Sequence, residues 1–182
     1  DDGFSAMCLS ASTKFVAVAE RKDKATVVIY DARTLRKRKV LHQTVVPCAK
    51  YASLAFSPDG DFLLALAAGS LIAWRWSKGK VSSHVALATG GPGLGGDDVV
   101  DKERAFVEAS FGWTQPIVAV RSPKALVFAK NDADAIVQFP VEDLSSALDD
   151  PDDDDQGATV SCHCWLKGDD GQHNFCLAGT SR

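Results

Sequence analysis

Three features of the sequence predict an all-β fold that forms part of a β-propeller. Short runs of β-branched and aromatic residues, such as Thr26–Tyr30, alternate with polar or Gly-rich turns. Groups of such runs recur along the 182-residue chain. Helical periodicity is weak, and only Val141–Leu148 indicates a turn of helix. Because four antiparallel strands with short turns make one propeller blade, the sequence predicts about three and a half four-stranded blades.

The first two repeats show the strand pattern most clearly. In the first repeat, an apolar run over 15–19 and the run over 26–30 enclose a polar turn, and 39–42 adds a short strand. The second repeat has runs over 51–56, 62–67, 71–76 and 81–87. Its first turn, Ser57-Pro58-Asp59-Gly60, places proline and Asp-Gly where a tight turn needs them.

Two further repeats complete the predicted domain organisation. The second strand of each repeat is expected to start near Phe15, Phe62, Ile117 and Phe175, a stretched version of the blade period of about 40–45 residues. We therefore predict blades over 4–46 and 47–89, a flexible Gly-rich linker over 90–104, a blade over 105–148, an acidic loop over 149–157 and a partial blade over 158–182. A closed propeller has about four to eight blades, so we expect the missing blades in a longer chain, or a partner over the open edges.

Composition and charge argue against several classes of protein. The net charge of −4 does not favour a nucleic-acid-binding module, and no apolar run reaches the roughly 18 residues of a membrane span. The five cysteines lack the spacing of a disulfide framework, so reduced thiols in a cytosolic compartment are expected. Because the chain begins at Asp1 and has only Met7 as methionine, we expect a segment of a longer protein.

Two strings resemble WD repeats in pattern. Ala55–Gly60 followed by Phe62–Ala65 is similar to the first turn of a WD blade. Tyr30-Asp31 and Trp74-Arg75-Trp76 stand where the Trp-Asp pair is expected, and no Gly-His pair precedes the blades. The repeats are therefore degenerate, and the fold that this resemblance implies is a partial WD40-type β-propeller.

The order of several longer strings is similar to the amino-terminal propeller of the cilia- and flagella-associated protein 57 family. The strings that carry this resemblance are Phe15–Glu20, Val27–Tyr30, Arg36–Leu41, Leu54–Asp59, Leu63–Ala65, Trp74–Trp76 with Lys78 and Val81, His163–Trp165 and Leu177–Thr180. The basic run Arg36–Leu41 in its expected place is the most specific of them. The resemblance covers most of the chain and is weakest over 90–157.

This resemblance implies a non-catalytic scaffold of the ciliary or flagellar axoneme, in the cytoplasm and cytoskeleton. The family is associated with anchoring or positioning inner-arm dynein on doublet microtubules, so the implied partners are inner-arm dynein and doublet-microtubule proteins. No membrane, nucleic acid, small-molecule substrate or cofactor is implied. Two alternatives stay open from the sequence: a WD-repeat scaffold of a cytosolic complex of the translation or vesicle-coat type, and a Cys/His metal enzyme.

A basic run is the one candidate interaction site. It contains Arg33, Arg36, Lys37, Arg38 and Lys39. Strand alternation predicts that Arg36 and Arg38 share one face and that Lys37 and Lys39 share the other. Two interpretations stay open: the run contacts acidic tubulin tails or another acidic partner, or it is a solvated edge strand whose charges resist aggregation.

A group of cysteines and histidines is the only pattern that points toward metal chemistry. Cys162, His163, Cys164, His173 and Cys176 carry ligand types that suit zinc. However, alternation along a strand would put the imidazole of His163 on the face opposite its two cysteine neighbours, whereas structural zinc ligands lie about two to four residues apart on a turn. We therefore predict small buried thiols and no metal ligands.

Other patterns of catalytic or binding chemistry are incomplete. None of the four histidines has a recognisable nucleophile and base arrangement with a serine or cysteine. The Gly90–Gly96 segment lacks the Lys-Ser/Thr ending of a phosphate loop, and the acidic run Asp149–Asp155 lacks the spacing of a calcium loop. The sequence therefore predicts no catalytic residue and no cofactor site.

Overall fold

The computed structural model describes residues 3–46, 48–67, 69–87, 106–113, 117–122, 126–132, 135–138, 159–169, 171 and 174–181. These residues form three four-stranded antiparallel sheets and one two-stranded sheet, and strands adjacent in the chain are adjacent in each sheet. We call them blade 1, blade 2, blade 3 and the half-blade. Within this described part of the chain, no helix is long and apolar enough to cross a membrane.

Apart from β1, which no predicted run covers, the strands of blades 1 and 2 overlap the predicted apolar runs. Blade 1 contains β1 (Gly3–Leu9), β2 (Phe15–Arg21), β3 (Thr26–Asp31) and β4 (Lys37–Leu41). Blade 2 contains β5 (Ser53–Phe56), β6 (Phe62–Ala67), β7 (Ser70–Arg75) and β8 (Lys80–Ala86). Blade 3 contains β9 (Glu108–Phe111), β10 (Ile117–Arg121), β11 (Leu126–Asp132) and β12 (Ala135–Gln138). The half-blade contains β13 (Thr159–Lys167) and β14 (Asn174–Ser181).

The predicted start of the second strand is confirmed at Phe15, Phe62 and Ile117, and Phe175 is the second residue of β14. The predicted Gly-rich linker over 90–104, acidic loop over 149–157 and helical turn over 141–148 lie outside the described residues. The turn at Ser57 also forms as predicted. The hydroxyl of Ser57 accepts the N–H of Phe62 at 2.9 Å, and Gly60 takes the left-handed φ of +80° that glycine tolerates best.

Two apolar clusters join the first three blades. In the first cluster, small alanines of β2 and branched residues of β3 and β4 lie against aromatic and branched residues of blade 2. Its fully buried members are Ala17, Ala19, Val27, Ile29, Leu41, Tyr51, Leu63, Ala65, Ala67, Ile72 and Trp74. The second cluster lies on the opposite face of blade 2 and contains Leu64, Leu66, Leu71, Ala73, Leu87, Phe106, Ala109, Val118 and Val120. Blade 2 is therefore packed on both faces, which explains why β6 and β7 are almost continuously apolar.

Blades 1 and 2 differ in side-chain exposure at matching positions of their first strands, β1 and β5. Pairing places Leu54 opposite Ala65 in blade 2 and Met7 opposite Val18 in blade 1, while Phe56 occupies the position that corresponds to Leu9. Leu54 and Phe56 are 7% and 9% exposed because blade 1 covers them, whereas Met7 and Leu9 are 72% and 54% exposed. The same sheet face is thus apolar in both blades but is covered, among the described residues, only in blade 2.

Candidate protein-interaction surface

One edge of blades 1 and 2 collects four turns that, with the adjoining strand ends, carry most of the basic side chains of these two blades. The turns between β1 and β2 and between β3 and β4 lie at the same end of blade 1, because the strands are antiparallel. Those between β5 and β6 and between β7 and β8 lie at the corresponding end of blade 2. The ring of Trp76, in the 3-10 turn Trp76–Lys78 before β8, is 4.9 Å from that of Phe15 and joins the two ends. We call this set of turns and the adjoining ends of their strands the turn edge.

The turn between β3 and β4 is organised by one carboxylate. Asp31 accepts hydrogen bonds from the backbone N–H groups of Arg33 at 3.2 Å and Thr34 at 2.9 Å. It also accepts one from the guanidinium of Arg38 at 3.2 Å. The hydrogen bonds from Thr34, with the nearby charge of Arg38, hold the pKa of Asp31 below its usual value. This carboxylate therefore fixes the turn from which the guanidinium of Arg33 extends into solvent.

A β-bulge in β4 makes the predicted alternation of the basic run wrong. Lys37 pairs with Tyr30 and Lys39 pairs with Ile29, so Arg38 is an extra residue between two consecutive partners. Since Tyr30 and Ile29 point to opposite sides of β3, Lys37 and Lys39 lie on opposite faces rather than on one. Arg36 lies in the turn before β4 and shares no strand face with Arg38.

Lys39 lies on the face of β4 that is directed toward blade 2. Its partner Ile29 belongs to the cluster between blades 1 and 2, and the side chain of Lys39 crosses to Gly79 after the 3-10 turn. A methyl group at Gly79 would lie 2.7 Å from Cε and 3.1 Å from Nζ of Lys39, and Gly79 has a φ of +69°. The basic run thus extends across the boundary between blades 1 and 2, close to Lys78 and Lys80.

The side chain of Trp76 stabilises the boundary between blades 1 and 2. Its indole N–H donates to the carbonyl of Gly60 at 2.6 Å, and its ring also meets Phe56 at 6.2 Å between centroids. Both aromatic contacts are edge-on, the arrangement that aromatic pairs favour. The basic side chains of the turn edge therefore extend from a packed aromatic cluster that spans two blades.

The cysteine and histidine group does not converge. The prediction of small buried thiols is wrong for Cys162 and Cys164, which are exposed because they lie on the face of β13 that no described residue covers. The imidazole of His163 is buried on the opposite face, as alternation predicts. Burial raises the pKa of Cys176, a half-buried thiol, to about 11, while His173 lies outside the described residues. No group of three or more His, Cys, Asp or Glu side chains in the described ranges is placed to hold a metal ion.

A polar network at the joint between blade 3 and the half-blade is a feature that the sequence did not reveal. The hydroxyl of Ser110 lies 2.5 Å from Nε2 of His163 and accepts the indole N–H of Trp165 at 2.9 Å. Because the Ser110 oxygen accepts that N–H, its own proton is free to bond Nε2. The guanidinium of Arg121 donates to Glu108 at 3.1 Å and to the carbonyl of Val160 at 2.8 Å.

This network contains the residue types of a Ser-His-Glu triad. Nδ1 of His163 lies 3.5 Å from Glu108 Oε2, a long contact, and finds no hydrogen-bond partner among the described residues. Burial is the main reason that the pKa of His163 is lowered, with Glu108 raising it and Arg121 lowering it further. The hydrogen bonds of Ser110 with His163 and Trp165 join blade 3 to the half-blade.

Comparison by sequence gives a likeness over part of the chain. The chain is 35% identical over 89 residues to mouse cilia- and flagella-associated protein 57, a match that covers 46% of this chain and 7% of that protein. The chain therefore spans only a small part of the length of this relative. A scan of protein-family models finds no match.

Comparison by structure gives the fold. The β-propeller domain of Cps50 (Swd1) from Myceliophteria thermophila superposes with a TM-score of 0.66 at 18% identity, over 99% of this chain and 50% of that one. The WD40 repeats of RRP9 superpose with a TM-score of 0.56 at 12% identity, over 75% of this chain and 38% of that one. Together with the four-stranded antiparallel sheets, these likenesses show an all-β, partial WD40-type propeller that resembles cilia- and flagella-associated protein 57 in part of its sequence.

Proposed function

We propose that this chain belongs to a non-catalytic scaffold of the ciliary or flagellar axoneme, which helps to anchor or position inner-arm dynein on doublet microtubules. The observation that carries the proposal is the 35% identity to cilia- and flagella-associated protein 57, found on a WD40-type propeller fold. Propellers of this type generally act by binding other proteins through the turns and edges of their blades. The hydrogen bonds of Asp31 hold a turn, and those of Ser110 hold two blades together, which supports a scaffold rather than an enzyme.

The basic run is the contact site of this proposal. Arg33 and Arg36 are exposed on a turn whose shape is fixed by Asp31, and Lys37 is exposed at the start of β4, so little ordering is needed when a partner binds. Arg38 and Lys39 complete the proposed patch, the first beside Asp31 and the second against Gly79. A charged patch on a preformed turn suits a docking contact between large assemblies, where electrostatic complementarity fixes the orientation.

The test is the location of the full-length protein in a ciliated cell. Axonemes are separated from membrane and matrix with detergent and then washed with salt. We expect the tagged protein to stay on the washed axonemes, and we expect inner-arm dynein to be lost when the protein is removed. A diffuse cytosolic signal with normal axonemes would contradict the ciliary assignment and favour a scaffold of another cytosolic complex.

A further inference from the structure

We propose that the basic run of blade 1 and Lys78 and Lys80 of blade 2 form one continuous surface that binds an acidic segment of a partner protein. The inference rests on the contact site of the proposed function, but it does not depend on where in the cell the partner is found. It identifies the partner by its chemistry and extends the site across a blade boundary.

The charge of the turn edge differs in sign from that of the chain. The whole chain carries a net charge of −4. The basic side chains of the turn edge are Lys14, Arg33, Arg36, Lys37, Arg38, Lys39, Arg75, Lys78 and Lys80. The acidic ones are Asp31, Asp59 and Asp61. The turn edge is thus strongly basic on an acidic protein, and such a local excess attracts and orients an acidic partner.

Two of these three carboxylates are already used within the turns. Asp31 accepts two backbone N–H groups and the guanidinium of Arg38. Asp59 accepts the hydroxyl of Ser57 and the backbone N–H of Asp61. Their bonding capacity is directed at the turns, so they compete weakly for the lysines, whose ammonium groups make no ion pair among the described residues of this edge.

The path of Lys39 makes the surface continuous. The side chain lies across Gly79, which directly follows Lys78 and precedes Lys80. Lys39 shares its strand face with Leu41, and its partner Ile29 belongs to the apolar cluster between the two blades, so its side chain extends over this boundary. Lys39 therefore links one basic turn to the next.

Several observations favour an acidic protein segment over a nucleic acid. Proteins that bind single strands stack bases on exposed aromatic rings, whereas the rings of Phe15, Phe56 and Trp76 at this edge pack against one another. Modules that bind duplexes carry a basic net charge, and this chain is acidic overall. A flexible acidic peptide needs only spaced cations along a ridge, which the turn edge provides.

The first experiment measures binding of a fluorescent oligoglutamate peptide to the full-length protein by anisotropy at low salt. The double variant Lys78→Glu with Lys80→Glu changes two residues of blade 2, and both lie outside the basic run of blade 1. We expect this variant to bind about tenfold more weakly. A matched control, Lys24→Glu with Lys50→Glu, makes the same charge change at the opposite edge and should leave the affinity within about twofold.

A second variant tests the path of Lys39 without changing any charge. Gly79→Ala places a methyl group against Cε of Lys39, so we expect about threefold weaker binding. Since alanine at a φ of +69° is strained, circular dichroism must show that this variant is folded, and Lys39→Ala gives an independent loss of the same contact. Equal losses from the Lys24 and Lys50 control would overturn the proposal.

Two further outcomes separate this inference from others. If a single-stranded oligonucleotide of equal charge binds more tightly than the peptide, the surface is a nucleic-acid site and the inference is wrong. If the protein stays on axonemes but does not bind the peptide, this inference fails while the proposed function stands. If it binds the peptide but is diffuse in the cytosol, the axonemal proposal fails and the acidic-segment surface stands.

Discussion

Two joints between neighbouring blades differ in the type of contact that holds them. One joint lies between blades 1 and 2, and the other lies between blade 3 and the half-blade. The first is apolar, with Trp74 fully buried and its ring 6.0 Å from that of Tyr51. The second is polar, with Ser110, His163 and Trp165 joined by side-chain hydrogen bonds. Both lie between neighbouring sheets of the same fold, so the fold does not require either chemistry.

The difference predicts how each joint responds to change. Apolar packing has no preferred direction, so it loses stability mainly when volume is removed. A buried polar network is directional, and removing one member leaves its partners unsatisfied. The apolar joint should therefore be sensitive to truncation, and the polar joint should be sensitive to the loss of single atoms and to pH.

The largest expected effect is the truncation of the apolar joint. Phe56→Ala removes a buried ring that lies against Trp76, and we expect a loss of about 3 kcal/mol in the free energy of unfolding. Leu9→Ala changes the matching position of blade 1, which is exposed, and should shift stability by less than about 0.5 kcal/mol. Urea denaturation followed by circular dichroism measures both, and similar losses would show that the open face of blade 1 is packed in solution.

A smaller effect is expected from a single oxygen of the polar joint. Ser110→Ala leaves Nε2 of His163 and the indole N–H of Trp165 without their shared partner, at a cost of about 1–3 kcal/mol. Ser12→Ala, at an exposed turn position, is the control and should be nearly neutral. A loss at Ser110 no larger than that control would mean that water replaces the hydroxyl and that the network does not hold the joint.

The sequence predicts the features that depend on residues close to one another along the chain. The strand starts at Phe15 and Phe62 and the Ser57 turn follow from local pattern, and the exposed position of Arg33 and Arg36 follows from charge. The bulge at Arg38 was missed because it depends on how β4 pairs with β3, and alternation assumes regular pairing.

The polar joint was missed for a different reason. Ser110 and His163 are 53 residues apart, and their contact depends on how two blades pack together. One signal was present: Ser110 lies between the apolar residues Ala109 and Phe111 in β9, and His163 alternates with Trp165 in β13. A polar residue inside a buried strand needs a partner, which predicts that a partner exists without identifying it.

The pH dependence of stability distinguishes the two joints further. Burial lowers the pKa of His163 below its usual 6.5, with Glu108 and Arg121 as the charged groups that face it from β9 and β10. The unfolded chain therefore binds the proton at a higher pH than the folded chain, so stability falls as the pH falls below about 6.5. His163→Gln should remove this part of the dependence.

The measurement compares urea midpoints of the two proteins at pH values of about 7.5, 6.5 and 5.5. The carboxylates titrate in both proteins, so the difference between the curves reports on His163 alone. We expect the curves to converge toward acidic pH, because the wild-type protein loses stability that the variant does not lose. Parallel curves would contradict a lowered pKa at this joint.

The smallest effect is expected where a serine joins two blades through the backbone. Ser53 in β5 accepts the N–H of Ala109 at 3.2 Å and donates to the carbonyl of Ala109 at 3.4 Å. These bonds are long and Ser53 is only half-buried, so water can replace its hydroxyl, and we expect Ser53→Ala to cost about 0.5–1 kcal/mol. Urea denaturation of this variant beside Ser110→Ala decides whether buried aromatic partners make the difference. If both substitutions lower the free energy of unfolding equally, the two hydroxyl groups stabilise their joints to the same extent. The polar joint would then be distinguished only by the titration of His163.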